Sequence, residues 1–379
     1  MKTVFGCVLA AALLSLSGGA QAAKIQVGED GFIDVRVLMQ GQGQLRDGAA
    51  ADGRGMGTDF FLRRARLLLL GGVNENITFF IETDSPNFGK GGNYDANIFV
   101  QDAFASFKLR EALVFDVGLI IVPLTRHSFQ GAVSLNSLDY HSFLVKHPAG
   151  STKIWRDTGV QARGTLLDSR LHYRIGVFGG VRSQGGRLDS EGAQLPDLNP
   201  DGTPRVAGHV RFNLFDPEEG FFPAGIYFGK KKVVSFGIGA DFQSKAVATR
   251  ATVANGRALG GDLFVDLPIG ADQEFIFQAD VISYHHGDES AATGLGFFAE
   301  AGYRYGKIEP VVAYQRFFST TGAGDLQGVH VGLNYWLHGH TANVKAEVAI
   351  EKNAAVQKVA NLGEAGNRTA VTLQTQLFF

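Results

Sequence analysis

The last nine residues of the chain, VTLQTQLFF at positions 371–379, alternate apolar and polar side chains up to the final phenylalanine. Side chains on a β-strand point alternately to opposite faces, so Val371, Leu373, Leu377 and Phe379 would share one face. Chain ends are usually frayed and polar because few neighbours order them. An alternating, apolar terminus therefore predicts a strand that is paired along its whole length.

The same alternation recurs through the rest of the chain, in segments of about ten residues, the length that a tilted strand needs to cross a membrane. The pattern predicts sixteen strands, at 31–39, 61–72, 74–84, 101–110, 112–120, 157–167, 169–180, 206–215, 232–245, 257–268, 272–284, 293–305, 307–317, 326–337, 339–351 and 369–379. Short and long connections alternate between these segments. Only 216–231 is longer than its place among the short connections predicts.

This rhythm favours an all-β, transmembrane, antiparallel up-and-down barrel, which has short periplasmic turns and longer outer loops. Lipid cannot hydrogen-bond an unpaired backbone, so the first and last strands must pair with each other. An even number of strands would place both termini in the periplasm. Phe379 would then lie in the aromatic girdle at the periplasmic interface.

The start of the chain predicts export. Residues 1–22, MKTVFGCVLAAALLSLSGGAQA, combine Lys2, an apolar run and a small-x-small cleavage site, which is typical of a secretory signal peptide. Residues 23–379 then form the barrel. Cys7 is the only cysteine, which excludes disulfides, thiolate metal sites and covalent haem attachment in the mature chain. A net charge of −2 implies no nucleic-acid partner.

Two stretches and the chain end carry a resemblance to known proteins. The terminal strand ending in phenylalanine resembles the signature of bacterial outer-membrane barrels. FFLRRARLLLLGGVNENITFFIETD at 60–84 and DAFASFKLREALVFDVGLIIVPLTRHSF at 102–129 resemble the phosphate-selective porin O and P-like family. The resemblance implies a sixteen-stranded porin in the outer membrane, usually a homotrimer, with one loop folded into the pore. Its surroundings would be outer-membrane lipid and lipopolysaccharide, and its solutes small anions such as phosphate.

Strand alternation also assigns charges to the inside of the barrel. An arginine at the lipid midplane costs roughly 2–4 kcal/mol, so most strand charges should face water. The predicted pore-lining basic residues on or next to strands are Arg36, Arg64, Arg66, Arg163, Arg170, Arg174 and Arg211. The predicted acidic residues on later strands are Asp241, Asp262, Asp266, Glu274, Asp280 and Glu300. Arg63 falls on the lipid phase, where we expect it near the outer rim. Either the two arcs face each other across an open pore, or they pair and plug it.

The longest connection, at 121–156, is strongly basic. It carries Arg126, Lys146 and Lys153, which we predict to take part in anion selectivity. As the third long loop, it is the candidate constriction loop that the resemblance implies. The alternative is a surface loop that contacts lipopolysaccharide phosphates.

The motifs of soluble catalysis are missing from the sequence, which contains no GxSxG, HExxH or complete P-loop. His285 and His286 next to Asp288, and His338 with His340, are better explained as loop and turn residues than as metal ligands. The sequence therefore predicts a passive porin with modest anion preference, no catalytic residues and no cofactor. Two alternatives stay open: an outer-membrane hydrolase, and a barrel that sheathes a separate electron-transfer protein.

Overall fold

The computed structural model describes residues 23–50, 55–95, 97–146, 155–183, 192, 194–248, 253–288, 290–322, 324–353 and 366–379. The predicted signal peptide at 1–22 lies outside these residues. A short strand, β1 (Ala23–Val27), precedes the barrel. The barrel strands are β2 (Gly31–Asp47), β3 (Met56–Gly72), β4 (Ile77–Asp84), β5 (Phe99–Arg110), β6 (Leu113–Ile121), β7 (Arg156–Leu166), β8 (Leu171–Phe178), β9 (Arg205–Asn213), β10 (Val233–Ala248), β11 (Val253–Gly270), β12 (Gln273–His285), β13 (Gly294–Tyr305), β14 (Ile308–Ser319), β15 (Leu326–His338), β16 (Ala342–Asn353) and β17 (Gly366–Phe378).

These sixteen strands, β2 to β17, close into one antiparallel barrel, as the alternation predicts. Each strand pairs with the next along the chain, and β17 pairs with β2 from Ala370↔Arg46 to Phe378↔Leu38. At the closing seam, Phe379 exchanges two backbone hydrogen bonds with Val37, of 2.8 and 3.2 Å. The C-terminal strand therefore ends in a paired backbone.

β1 was not predicted from the sequence. It forms a hairpin with β2, from Ala23↔Val35 to Val27↔Gly31. β1 and β17 thus use successive parts of the same edge of β2.

The predicted first loop, at 40–60, is wrong because most of it is strand. β2 continues to Asp47, and β3 already begins at Met56. In this part of β2 the inward positions are glutamines, while two of the outward positions are Gly41 and Gly43. Because glycine has no apolar side chain, the apolar–polar alternation cannot be recognised in the sequence here. The ring of Phe60 covers Gly43 from the neighbouring strand, which replaces the missing side chain.

The two ends of the barrel differ in their connections. Short turns join β3 to β4, β5 to β6, β7 to β8, β11 to β12, β13 to β14 and β15 to β16; we call this the turn end. Asn74 illustrates their chemistry, because its side-chain oxygen accepts the backbone N–H groups of Asn76 and Ile77, each at 2.9 Å. The opposite end, which carries the longer connections, is the loop end. The connection at 214–232 belongs to the turn end by order but is long, as the sequence indicated.

Alternation separates an apolar exterior from a polar interior. On β8, Ile175 and Val177 are 55% and 50% exposed on the outer face. On β9, Val210 points out while His209 and Arg211 are buried inside. An exposed apolar belt of this kind suits a lipid environment. Among the described residues, no helix has the length and apolar character needed to cross a bilayer.

Candidate functional site: the barrel interior

The connection between β6 and β7 lies inside the barrel over its described part, 122–146. It contains a single helical turn, α1 (Arg126–Phe129), and further turns at Ala132–Ser134 and Ser142–Lys146. We call 122–146 the first inner segment. Its charged and aromatic side chains are mostly buried, which excludes a loop that only rests on the surface.

A pair of glycines lets the first inner segment lie flat on the wall. Gly239 on β10 and Gly260 on β11 are cross-strand partners. A Cβ at Gly239 would lie 2.0 Å from the Leu124 carbonyl oxygen, and one at Gly260 would lie 2.7 Å from a methyl carbon of Thr125. Side chains at either position would push the segment toward the centre of the barrel.

Polar side chains on the opposite wall hold the same segment through its backbone. Gln376 donates to the Val133 carbonyl at 2.9 Å, and Asn334 donates to the Asn136 carbonyl at 2.9 Å. Lys345 donates to the carbonyl of Leu135. The segment therefore spans the barrel from β10 and β11 to β15, β16 and β17.

Two stacked histidines hold the returning half of the first inner segment. The rings of His127 and His141 lie 4.9 Å apart and nearly parallel. His141 accepts the Leu144 N–H at Nδ1 (3.1 Å), so its Nε2 carries the proton and donates to Asp280 at 2.9 Å. Burial lowers the pKa of His141 to about 3. Burial and the neighbouring His141 lower the pKa of His127 to about 4. Both rings are neutral at pH 7.

The connection at 214–232 also enters the barrel, from the turn end; we call it the second inner segment. Its Glu218 is fully buried and accepts hydrogen bonds from Arg126 and from the Tyr227 hydroxyl (2.7 Å). Arg211 on β9 lies 3.4 Å from the same carboxylate. Burial alone would raise the pKa of Glu218, but Arg126 and Arg211 lower it to about 2. The unexpected length of the second inner segment therefore allows it to contact the first inner segment.

Arg174 on β8 joins the two inner segments without a carboxylate. Its guanidinium lies 3.9 Å from the Phe129 ring centre and 4.4 Å from that of Phe221. It also donates to the Phe221 carbonyl at 2.5 Å. Phe129 belongs to the first inner segment and Phe221 to the second, so one buried cation packs against both.

Most of the predicted basic residues are ion-paired with nearby carboxylates. Arg66 binds Glu82 (2.7 Å) and Asp84 (2.9 Å), and Arg163 binds Asp116 (2.8 Å). Among the remaining predicted residues, four form ion pairs: Arg36 with Asp34, Arg64 with Asp139, and both Arg126 and Arg211 with Glu218. Arg64 also donates a hydrogen bond to Gln40, and Arg174 donates to the Phe221 carbonyl. Arg170 is exposed in the β7–β8 turn, where its side chain donates to the Leu214 carbonyl. The Lys146 side chain and Lys153 lie outside the described residues.

The predicted arrangement of two charge arcs facing each other across water is therefore wrong. Pairs form between neighbouring strands, as in Arg205 with Asp241 at 2.6 Å, or between the wall and an inner segment. The first inner segment donates hydrogen bonds to Asp262, Asp280 and Glu300, and the second inner segment donates to Asp266 and Glu274. Assigning one sign to each group of strands neglected carboxylates on β4 to β6.

The predicted lipid-facing position of Arg63 is also wrong. The pairing of β2 and β3 runs from Gln40↔Arg64 directly to Gly41↔Leu62, so Arg63 is the extra residue of a β-bulge. Both arginines consequently reach Asp139 on the first inner segment, at 2.6 Å from Arg63 and 2.5 Å from Arg64. Arg63 faces the interior, whereas strict alternation had placed it toward lipid.

A cavity of about 730 Å³ remains between the first inner segment and the walls of β2, β3 and β13 to β17. Its lining includes charged residues that the sequence analysis did not single out: Arg46, Asp59, Lys90, His330, Glu347, Glu351 and Arg368. Arg46, Asp59, Lys90 and Arg368 fall within stretches predicted to be connections, and the other three lie on predicted strands. The alternation of β2 would have reached Arg46 had the strand been extended to Asp47.

Solved structures with the same fold are porins and related outer-membrane proteins. The anion-selective porin from Comamonas acidovorans matches with a TM-score of 0.59 at 12% identity, over 92% of this chain and 100% of that chain. Salmonella typhi OmpF in complex with daunomycin gives 0.60 at 12% identity, over 94% and 100%. The trimer form of OmpT, an outer membrane protein of Vibrio cholerae, gives 0.56 at 11%, over 93% and 100%.

At these identities the similarity shows the fold, which is that of outer-membrane porin barrels. No protein-family profile matches the sequence, and neither does any curated protein. The resemblance to the phosphate-selective porin O and P-like family is accordingly not shown.

Proposed function

We propose that the protein is an integral outer-membrane porin that lets small hydrophilic solutes diffuse passively, with a modest preference for anions such as phosphate. The observation that carries this proposal is a closed barrel with an apolar exterior whose interior keeps a polar cavity of about 730 Å³. Sixteen-stranded barrels are normally wide enough for an aqueous channel. The anion-selective porin of the same fold supports the preference.

In this proposal the first inner segment is the constriction that was predicted for the connection at 121–156. Its tight hold on β10, β11 and β15 to β17 would confine the solute path to the side of the cavity. The basic residues predicted from the sequence keep a proposed role in anion selectivity, although none of those described lines the cavity: Arg36, Arg64, Arg66, Arg126, Lys146, Lys153, Arg163, Arg170, Arg174 and Arg211. Since most of the described members are paired with carboxylates, the preference for anions should be weak.

The assembly and orientation are also part of the proposal. A homotrimer is supported by the trimer form of the Vibrio cholerae protein. The turn end, with both termini, would face the periplasm, and the loop end would contact lipopolysaccharide. Native mass measurement in detergent tests the trimer.

Single-channel recording in planar bilayers tests the proposed function. We expect stable conductance steps, and in a salt gradient a zero-current potential of the sign for mild anion preference. A heat-denatured sample is the control for current that does not depend on the folded barrel. A purified, folded barrel that yields no steps would contradict the porin proposal.

A further inference from the structure

We propose that Arg46, Arg63 and Lys90 form a binding subsite for the anionic group of a hydroxylated solute, such as a sugar acid, in the cavity at the loop end. This inference rests on the proposed porin function and adds the site and the class of solute. All three residues line the same cavity. None belongs to the set of basic residues predicted from the sequence.

The three cations come together from separate elements. Arg46 lies near the end of β2, Arg63 is the bulged residue of β3, and Lys90 lies in the β4–β5 connection. That connection is tied to β3, because Leu62 N–H donates to the Phe88 carbonyl at 2.9 Å. The Lys90 ammonium also lies 4.8 Å from the ring centre of Phe61. The cluster is therefore held by the fold.

Positive charge is in excess at this place. Among the described residues, neither Arg46 nor Lys90 has an ion-pair partner, and Arg63 shares Asp139 with Arg64. Asp59, the other nearby carboxylate, accepts the Gly91 N–H at 2.8 Å. Burial lowers the pKa of Lys90, and the charges of Arg63 and Arg46 lower it further. A bound anion would relieve this repulsion.

The adjacent wall offers acceptors for hydroxyl groups. Gln42 donates its amide to Gln374 at 2.8 Å, and Gln44 donates to Thr372 at 3.0 Å. These bonds fix both glutamines and leave their carbonyl oxygens as acceptors beside the cations. Both glutamines line the cavity, whose volume lies within the usual range of about 300–1,000 Å³ for small-molecule sites.

The wall formed by β15 and β16, which only β17 separates from β2, disfavours a second anionic group on the ligand. Glu347 lies 3.0 Å and Glu351 lies 3.8 Å from His330, and all three line the cavity. A second anionic group at that wall would meet two carboxylates, of which Glu351 is already next to Arg368 of β17. The geometry therefore suits a solute with one oxyanion and a hydroxylated body better than a compact inorganic anion or a neutral sugar.

Gluconate, inorganic phosphate and glucose are the probes for this subsite. We expect gluconate to interrupt single-channel current at 0.1 M salt more strongly than either of the others. Lys90→Gln and Arg46→Gln should each raise the gluconate dissociation constant on the order of 10-fold, the effect of losing one charge-assisted hydrogen bond. Lys307→Gln, which removes an exposed charge at the turn end, is the matched control and should leave block unchanged.

The subsite is overturned if gluconate block is equal in wild type and in both variants, or if phosphate or glucose blocks as well as gluconate. Calorimetric titration of gluconate into the detergent-purified barrel tests binding without conduction. Gluconate binding that both variants weaken, in a barrel that shows no conductance, would contradict the porin proposal and retain the subsite. Conductance without gluconate binding would contradict the subsite and retain the porin proposal.

Discussion

At the scale of single residues, Asp139 controls how much positive charge the cavity presents. Burial alone would raise the pKa of Asp139, but Arg63 and Arg64 hold it well below the usual value for a carboxyl group. The carboxylate therefore stays ionised as pH falls from 7 to about 4, and its effect on passing ions should not change over that range. It neutralises part of the charge that Arg63 would otherwise offer to a solute.

We expect Asp139→Asn to shift the zero-current potential toward stronger anion preference, because two arginines lose their shared counter-charge. The shift should be similar at pH 7 and pH 5. Asp288→Asn is the control, since this carboxylate is 97% exposed in the β12–β13 connection. An unchanged potential in Asp139→Asn would show that ions pass away from this residue.

The stacked His127 and His141 predict a pH dependence of the first inner segment. Burial lowers the pKa of both rings, to about 4 and about 3, so an unpacked segment takes up protons below pH 6.5 while the packed one does not. Stability of the packed segment should therefore fall as pH drops from about 6.5 toward 4. The carboxyl group next to these rings is that of Asp280 on β12, which accepts a hydrogen bond from His141 Nε2.

Hydrogen exchange of backbone amides in 126–146 measures this effect. We expect faster exchange at pH 4.5 than at pH 7, after correction for intrinsic rates, while the barrel strands stay protected. His127→Phe keeps the stacking and cannot titrate, so it should reduce the difference. Equal protection of the segment at both pH values would exclude the histidines as its pH-sensitive contact.

At the scale of elements, the two inner segments lock together through Arg126 and Glu218. Removing one partner of a buried ion pair typically costs about 3–5 kcal/mol because the other charge is left uncompensated. We expect Glu218→Gln to loosen both segments and to raise single-channel conductance or its fluctuation. Glu219→Gln on the same segment is the control, because Glu219 is largely exposed. Identical current traces for the two variants would mean that the contact does not limit ion flow.

The elements also show what sequence patterns can predict. Alternation locates every barrel strand because each one separates lipid from the interior, a constraint that acts on every second residue. The Arg63 bulge escapes it, since one inserted residue changes the phase without changing composition. The contacts of Gly239 and Gly260 with the first inner segment, and the pairing of Arg126 with Glu218, join residues far apart in the chain. Such contacts depend on where connections fold, which local periodicity does not encode.

At the scale of the whole molecule, the absence of cysteine after Cys7 allows orientation to be tested by labelling. We expect a single cysteine at Asp288→Cys, on the loop end, to react with an impermeant maleimide in intact cells. Glu75→Cys, exposed in the β3–β4 turn, should react only after the outer membrane is opened. The unsubstituted chain is the control. Reversed labelling would place the turn end and both termini outside the cell.

The short hairpin of β1 and β2 has a consequence for how β17 pairs with β2 to close the barrel. Only residues 28–30 separate these two strands, so they can pair before β17 reaches the edge of β2. Once β1 covers Gly31–Val35, this part of the β2 edge is closed to β17, whose last residue, Phe379, pairs with Val37. A slip of one residue would turn every side chain of β17 to the wrong face. β1 therefore limits how far β17 can shift along β2 when the barrel closes.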